Sequence, residues 1–228
     1  MAIKTQMIDF PSNGQTTPGY LAQPDDANQH PAIVVIQEYW GLVPHIKDVA
    51  ERFAREGFIA LAPDLYHGQV AEEPDEARKM AMALDRNRAV MEINSAAKYL
   101  RSLAAAPKKI GVVGWCMGGA LALSTGASST DLGAIVAFYG RPLSVADTAK
   151  VRAPVLGLYA EKDHGIPPEA VKAFDEELSD VGVVHEIQIY PNVQHAFFND
   201  TRPGIYDSAA AQDAWRRTLD WFRKYLVS

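Results

Sequence analysis

Cysteine is almost missing from this chain: 228 residues carry one, Cys116. A single thiol excludes an intrachain disulfide framework and any Cys-rich zinc site, and it fits a reducing compartment. Long apolar runs are missing as well. The longest, such as 132–140, reach about nine residues, where a membrane-spanning helix needs about 20. No apolar stretch follows Met1, so a signal peptide is not expected, and the expectation is a soluble, cytoplasmic protein without a membrane partner. An excess of basic charge is also lacking. The 22 basic and 28 acidic side chains leave a net charge of −6, which offers no patch for nucleic acid. No Pro/Gly/Ser linker, internal repeat or low-complexity tract divides the chain. One domain over residues 1–228 is expected, long enough to bury roughly 70% of its unfolded surface.

What is present is a regular alternation of two periodicities. Ile3 to Phe10 and Thr17 to Ala22 read as strands around a Pro-Ser-Asn-Gly turn, an antiparallel N-terminal hairpin. Ala32 to Ile36 is a short, continuous, β-branched run, as a strand covered on both faces requires. Ile46 to Glu56 has apolar residues at helical spacing and ends at Gly57. Phe58 to Ala62 is another buried strand, ended by Pro63-Asp64 and a polar loop. From about Asp75 to Ala104 the composition favours helix, as one piece or two. Strands follow at Lys109 to Val113, Ala134 to Tyr139, Pro154 to Ala160 and Val184 to Tyr190. Helices follow at Met117 to Thr125, Glu169 to Leu178 and Tyr206 to Leu226. That order predicts an α/β fold: a mostly parallel sheet flanked by helices on both faces, with the hairpin at its antiparallel edge.

The lone cysteine sits where this order turns from strand to helix. Gly114-Trp115-Cys116-Met117-Gly118 is a G-x-nucleophile-x-G pattern with Cys in place of Ser. The glycines permit the sharp turn that lifts a nucleophile off the sheet, and the following helix aims its N-terminus at the sulfur. The amide of Met117 is then one oxyanion donor. A buried structural cysteine is the bland alternative, since free Cys is among the most buried residue types. In the α/β-hydrolase fold the nucleophile is followed by an acid and then a histidine. Asp163 follows the strand ending at Ala160 and is the candidate acid, with Glu161 as its competitor. His195 follows the last strand and is the candidate base. His164 fits the order poorly, and His30, His45, His67 and His185 read as surface residues. His164, His195 and Asp163 lack metal-ligand spacing, and Gly111 with Gly114 makes no dinucleotide or phosphate loop, so neither metal nor cofactor is expected.

These motifs resemble those of the dienelactone hydrolase (carboxymethylenebutenolidase-like) family. The shared stretches are Gln37-Glu38-Tyr39-Trp40-Gly41, Ala62-Pro63-Asp64-Leu65-Tyr66, the cysteine elbow with Gly119, Asp163 with Ile166-Pro167, His195-Ala196-Phe197-Phe198-Asn199 and the closing helix around Ala214-Trp215. The resemblance spans nearly the whole chain and implies an α/β-hydrolase fold without a large cap domain. It implies a Cys116-His195-Asp163 triad working through an acyl-cysteine on small lactones or activated esters. It gives Glu38 the part of activating the thiol and makes the amide of Tyr39 the second oxyanion donor. Two arginines that bind a substrate carboxylate in characterised members align with Pro74 and Asn199. Arg78, one helical turn from the first, and Arg202, just past the second, are the substitutes. Tyr39, Trp40, Tyr66, Phe197 and Phe198 are expected to line a mostly apolar pocket, while Trp115 packs on the scaffold. Competing expectations are an esterase or thioesterase of the same fold, and a non-catalytic thiol sensor. A monomer or small homo-oligomer is expected.

Overall fold

Asn13 and Gly14, with φ of 52° and 79°, reverse the chain between β1 (Ile3–Ser12) and β2 (Gln15–Pro24), which pair antiparallel with Ser12 opposite Gln15. A two-residue turn with both φ positive matches the twist of the strands it joins. The computed structural model describes residues 1–103 and 109–227. After the hairpin come β3 (Ala32–Ile36), α1 (Pro44–Arg55), β4 (Ile59–Pro63), α2 (Pro74–Ala83) and α3 (Arg86–Ser102). The chain continues through β5 (Ile110–Trp115), α4 (Met117–Ser128), β6 (Leu132–Phe138) and α5 (Val145–Thr148). It closes with β7 (Val155–Ala160), α6 (Pro168–Asp180), β8 (His185–Tyr190) and α7 (Ser208–Leu226).

The strands form one eight-stranded sheet in the order β1-β2-β4-β3-β5-β6-β7-β8. The pairs β1–β2 and β2–β4 are antiparallel and the rest are parallel, as the alternation of strand and helix predicts. The unbroken apolar runs have a simple cause. Successive residues of a strand face opposite ways, and here both ways lead to core. Ile33, Val35, Val113 and Trp115 pack on one face with Phe53 of α1 and Phe222 of α7. Val34, Ile36, Ile110 and Val112 pack on the other with Ile93 of α3 and Leu121 of α4.

The helical stretch after β4 is two helices. Asp85 breaks it by accepting the Arg88 N–H (3.1 Å) as the N-cap of α3. Its expected end at Ala104 lies outside the described residues. The single-turn α5, capped by Ser144 on the Asp147 N–H (3.2 Å), was too short to leave a period in the sequence. Among the described residues no separate cap layer covers the C-terminal ends of the parallel strands, where the connecting loops gather. No helix among the described residues is long and apolar enough to cross a membrane.

Candidate active site

Cys116 sits on the turn between β5 and α4 with φ 56° and ψ −115°, a conformation that costs an L-residue about 1–3 kcal/mol. Its neighbours hold it there. The Cys116 N–H donates to Phe138 O of β6 (3.0 Å), and its carbonyl accepts from Ala120 N–H (3.2 Å) to start α4. A Cβ on Gly114 would lie 2.1 Å from the Gly118 carbonyl oxygen, and one on Gly118 would lie 2.5 Å from the carbonyl oxygens of Ile36 and Gln37. The two glycines therefore let strand, turn and helix meet at backbone distance. The thiol is half-buried. Met117 opens α4, so its N–H has no partner inside the helix.

The loops after β7 and β8 bring an acid and a histidine to the same place. His195 Nδ1 and Asp163 Oδ2 are 2.5 Å apart. Asp163 is buried, and its other oxygen accepts from the N–H groups of Gly165 (2.9 Å) and Ile166 (3.1 Å). Burial opposes the charge on Asp163, but the His195 hydrogen bond and charge and the two amides hold its carboxyl below the usual range. Burial likewise opposes the imidazolium of His195. The hydrogen bond to Asp163, with the nearby Cys116 sulfur and the Asp163 charge, outweighs it and lifts its pKa to about 10. The competing acid, Glu161, is occupied elsewhere: it accepts the Asn192 N–H (2.7 Å) in the turn after β8.

Glu38 follows β3 and is buried. Its Oε2 accepts from Asn199 Nδ2 (2.8 Å), and its Oε1 lies 3.5 Å from the Tyr139 hydroxyl, which donates. Thr201 fixes the Asn199 amide by donating its hydroxyl (2.6 Å) and its N–H (3.1 Å) to Oδ1, which leaves Nδ2 to face Glu38. Burial raises the Glu38 pKa against the pull of Asn199, His195, Arg202 and Tyr139.

Cys116, His195, Asp163 and Glu38 share one cavity of about 650 Å³ at the C-terminal edge of the sheet. In open α/β sheets this edge is where ligands bind. Among the described residues no group of three or more His, Cys, Asp or Glu is placed to hold a metal ion.

The dienelactone hydrolase family profile matches residues 17–226. The chain belongs to the dienelactone hydrolase family. It is 36% identical to "Protein usf" of Aquifex pyrophilus, over 97% of this chain and 99% of that one. It is 33% identical to an Aquifex aeolicus protein named "Putative carboxymethylenebutenolidase", with the same coverage of both chains. A crystal structure from Klebsiella pneumoniae, described as a "Putative Dienelactone Hydrolase", superposes with a TM-score of 0.92 at 30% identity, over 99% of this chain and all of that one.

In this dienelactone hydrolase relative, several expected lining residues lie elsewhere. Phe197 and Phe198 are core side chains, correcting their expected place in the pocket. The tight turn after His195 sends them inward, Phe198 against Phe138 (ring centroids 4.9 Å) and Trp115 (5.5 Å), Phe197 against Tyr190 (5.1 Å). Trp115 packs on the scaffold as expected. Tyr66 is buried behind the wall and donates its hydroxyl to the Tyr39 carbonyl (3.2 Å), with Met117 Sδ at 3.5 Å, so it braces the two residues expected to supply oxyanion donors. Burial, helped by the Cys116 charge, pushes its pKa up to about 12. Trp40 carries the Arg202 guanidinium over its ring (5.6 Å) rather than forming the wall itself. Of the expected aromatics only Tyr39 lines the cavity, joined by the unanticipated Tyr139. Arg78 and Arg202 both reach the cavity.

His45, expected at the surface, is buried on the inner side of α1 near Phe198. Asn199, where the family's second arginine aligns, serves Glu38 from behind. No motif marks Tyr139, and the shared stretch that ends at Asn199 does not say what Asn199 does; either role could have been found only by knowing which side of its loop faces Glu38.

Proposed function

We propose that the chain is a cysteine hydrolase of small lactones and activated esters, working through Cys116, His195 and Asp163. The observation that carries this is the hydrogen-bonded Asp163–His195 pair sharing one cavity with Cys116 on its strained turn. A histidine held as imidazolium beside the sulfur stabilises negative charge on it, and the thiolate is the nucleophilic form.

The thiolate attacks the ester carbonyl, a C–S bond forms, and the C=O π pair moves to oxygen. The N–H groups of Tyr39 and Met117 receive that oxyanion, where each donor is worth about 3 kcal/mol. Collapse restores C=O and breaks the C–O bond, with the leaving oxygen taking the His195 proton. Neutral His195 then removes a proton from water, the hydroxide adds to the acyl-cysteine, and the C–S bond breaks to return the thiolate and release the acid. A thiolate is a good leaving group, so return to substrate competes unless the departing oxygen is also stable. An enol lactone satisfies this because its enolate becomes a ketone. Glu38 lies close enough for its charge to interact with the His195 imidazolium, which favours keeping the proton on the imidazole and the sulfur as thiolate. Arg78 and Arg202 line the same cavity, which supports a substrate carboxylate as their ligand.

Incubation with an activated aryl ester, followed by rapid quench and intact mass measurement, should trap an acyl adduct on Cys116. The Cys116→Ala variant should keep the fold and lose hydrolysis. Full turnover by Cys116→Ala would sink the assignment, and a stably oxidised thiol without turnover would favour a sensor.

A further inference from the structure

The cavity is cationic in a protein that is not. Arg78, Arg86, Arg141, Lys162 and Arg202 line it, while its acids are Glu38, buried and hydrogen-bonded, and Asp163, paired with His195. Arginines away from the cavity are held by carboxylates, except Arg152, which donates to the carbonyls of Ala149 and Val151. Among the described residues, Arg86, Arg141, Lys162 and Arg202 have no carboxylate partner. A cation left without a carboxylate in ion-pair contact, in a concave wall, can meet an anion from solution; Arg202, over Trp40 and within reach of the Glu38 charge, is the most constrained of the four.

These cations stand in two groups on opposite sides of the nucleophile. Cys116 follows β5, which lies between β3 and β6 in the sheet. Arg202 is held over Trp40, just past β3, and Arg78 and Arg86 belong to the crossover between β4 and β5. Arg141 follows β6 and Lys162 follows its neighbour β7, so both rise on the other side.

We propose that Arg141 and Lys162 form a second anion subsite, so that the substrate best matched to the cavity is a dianionic ester or lactone with one negative group on each side of its scissile carbonyl. This rests on the hydrolase reading above. A monoanion would use one flank and leave the other solvated. A dianion would be fixed at both ends, which orients the carbonyl between them over Cys116 and makes recognition of the second anion a matter of positioning as well as attraction.

Four activated nitrophenyl esters test this: one neutral, one with a carboxylate on the acyl chain, one with a carboxylate on the ring, and one with both. The wild type should favour the dianion over the neutral ester by about a hundredfold in kcat/KM. Arg141→Ala/Lys162→Ala should lose the preference for one of the two carboxylates by about tenfold, and Arg202→Ala should lose the preference for the other. Arg141→Lys should retain most of its share. An unchanged dianion-to-neutral ratio in the double variant, or loss of the same carboxylate preference in both variants, would overturn the proposal. A binding readout separates this from failure of the hydrolase reading. An unreactive ether shaped like the dianionic ester should protect Cys116 from iodoacetamide, about tenfold less in the double variant. If no ester is turned over but this difference is present, the subsite stands and the hydrolase does not. If esters are turned over and protection is equal in both proteins, the subsite falls alone.

Discussion

His195 and Glu38 both hold protons more tightly than free side chains do, so each contributes stability that is lost as pH rises, in different pH windows. The imidazolium of His195, with a folded pKa of about 10 against 6.5, binds its proton better in the native chain. Its contribution is therefore complete below about pH 6.5 and lost as pH rises through about 10. Asp163→Asn removes the carboxylate that orients His195 and fixes its tautomer. The stability lost in this variant, read from thermal unfolding, should be larger near pH 7 than near pH 10.5, and ester hydrolysis should fall by roughly a hundredfold or more. Glu38 follows the same sign, but here the proton neutralises the group, so its raised pKa means that ionisation weakens the fold. Stability declines as pH rises from about 4.5, the ordinary value, through the folded pKa. Glu38→Gln keeps an oxygen for Asn199 and removes the charge. It should raise Tm at about pH 8 by about 2 °C or more while lowering turnover, a trade of stability for activity that functional sites commonly show. Cys116, Asp163 and His195 were legible from the sequence because each occupies the first loop after a strand, and the strand order ranks them. Phe197 and Phe198 were not, because neighbouring His195 in the chain does not decide which side of the turn a ring takes.

Elements were read most easily where burial was strongest. β3, β4 and β5 are apolar on both faces, and their runs announce themselves. β3 kept its expected bounds, while the ends of β4 and β5 shifted by one or two residues because hydrogen bonding to neighbours, not hydropathy, decides where a strand stops. The Gly-x-Cys-x-Gly-Gly pattern predicted a turn, but only the structure supplies the distances that make the glycines necessary. Gly114→Ala would place a methyl 2.1 Å from the Gly118 carbonyl oxygen, against backbone that cannot swing aside. It should cost about 3 kcal/mol or more, at the upper end for overpacking, and reduce the yield of folded protein. Gly204→Ala, where no atom lies within 4 Å of the added carbon, is the control and should leave the denaturation midpoint nearly unchanged. Equal midpoints for the two variants would mean that β5 and α4 do not approach at Gly114 as described.

At the scale of the whole molecule, charge sign changes between surface and cavity. The chain carries −6 overall, so an anion approaching at random is repelled, while the cavity wall with its five cationic side chains attracts it. Composition alone reports the sum and conceals the separation, which is why the acidity of the sequence predicted nothing about the substrate. The separation has a kinetic consequence. Attraction by exposed side chains at the mouth acts over distances comparable to the Debye length, about 10 Å at 0.1 M salt and about 3 Å at 1 M. Raising ionic strength from about 0.02 M to about 0.5 M should therefore lower kcat/KM for a carboxylate-bearing ester several-fold, chiefly through the association rate, and leave the matched neutral ester within about twofold. The direction separates two sources of field. If the net −6 governed encounter, added salt would screen repulsion and speed the anionic ester. If the cavity governs it, added salt slows that ester. A rate that rises with salt would mean that the cations lining the cavity are too well solvated to steer, and that selectivity, where it exists, is set after contact.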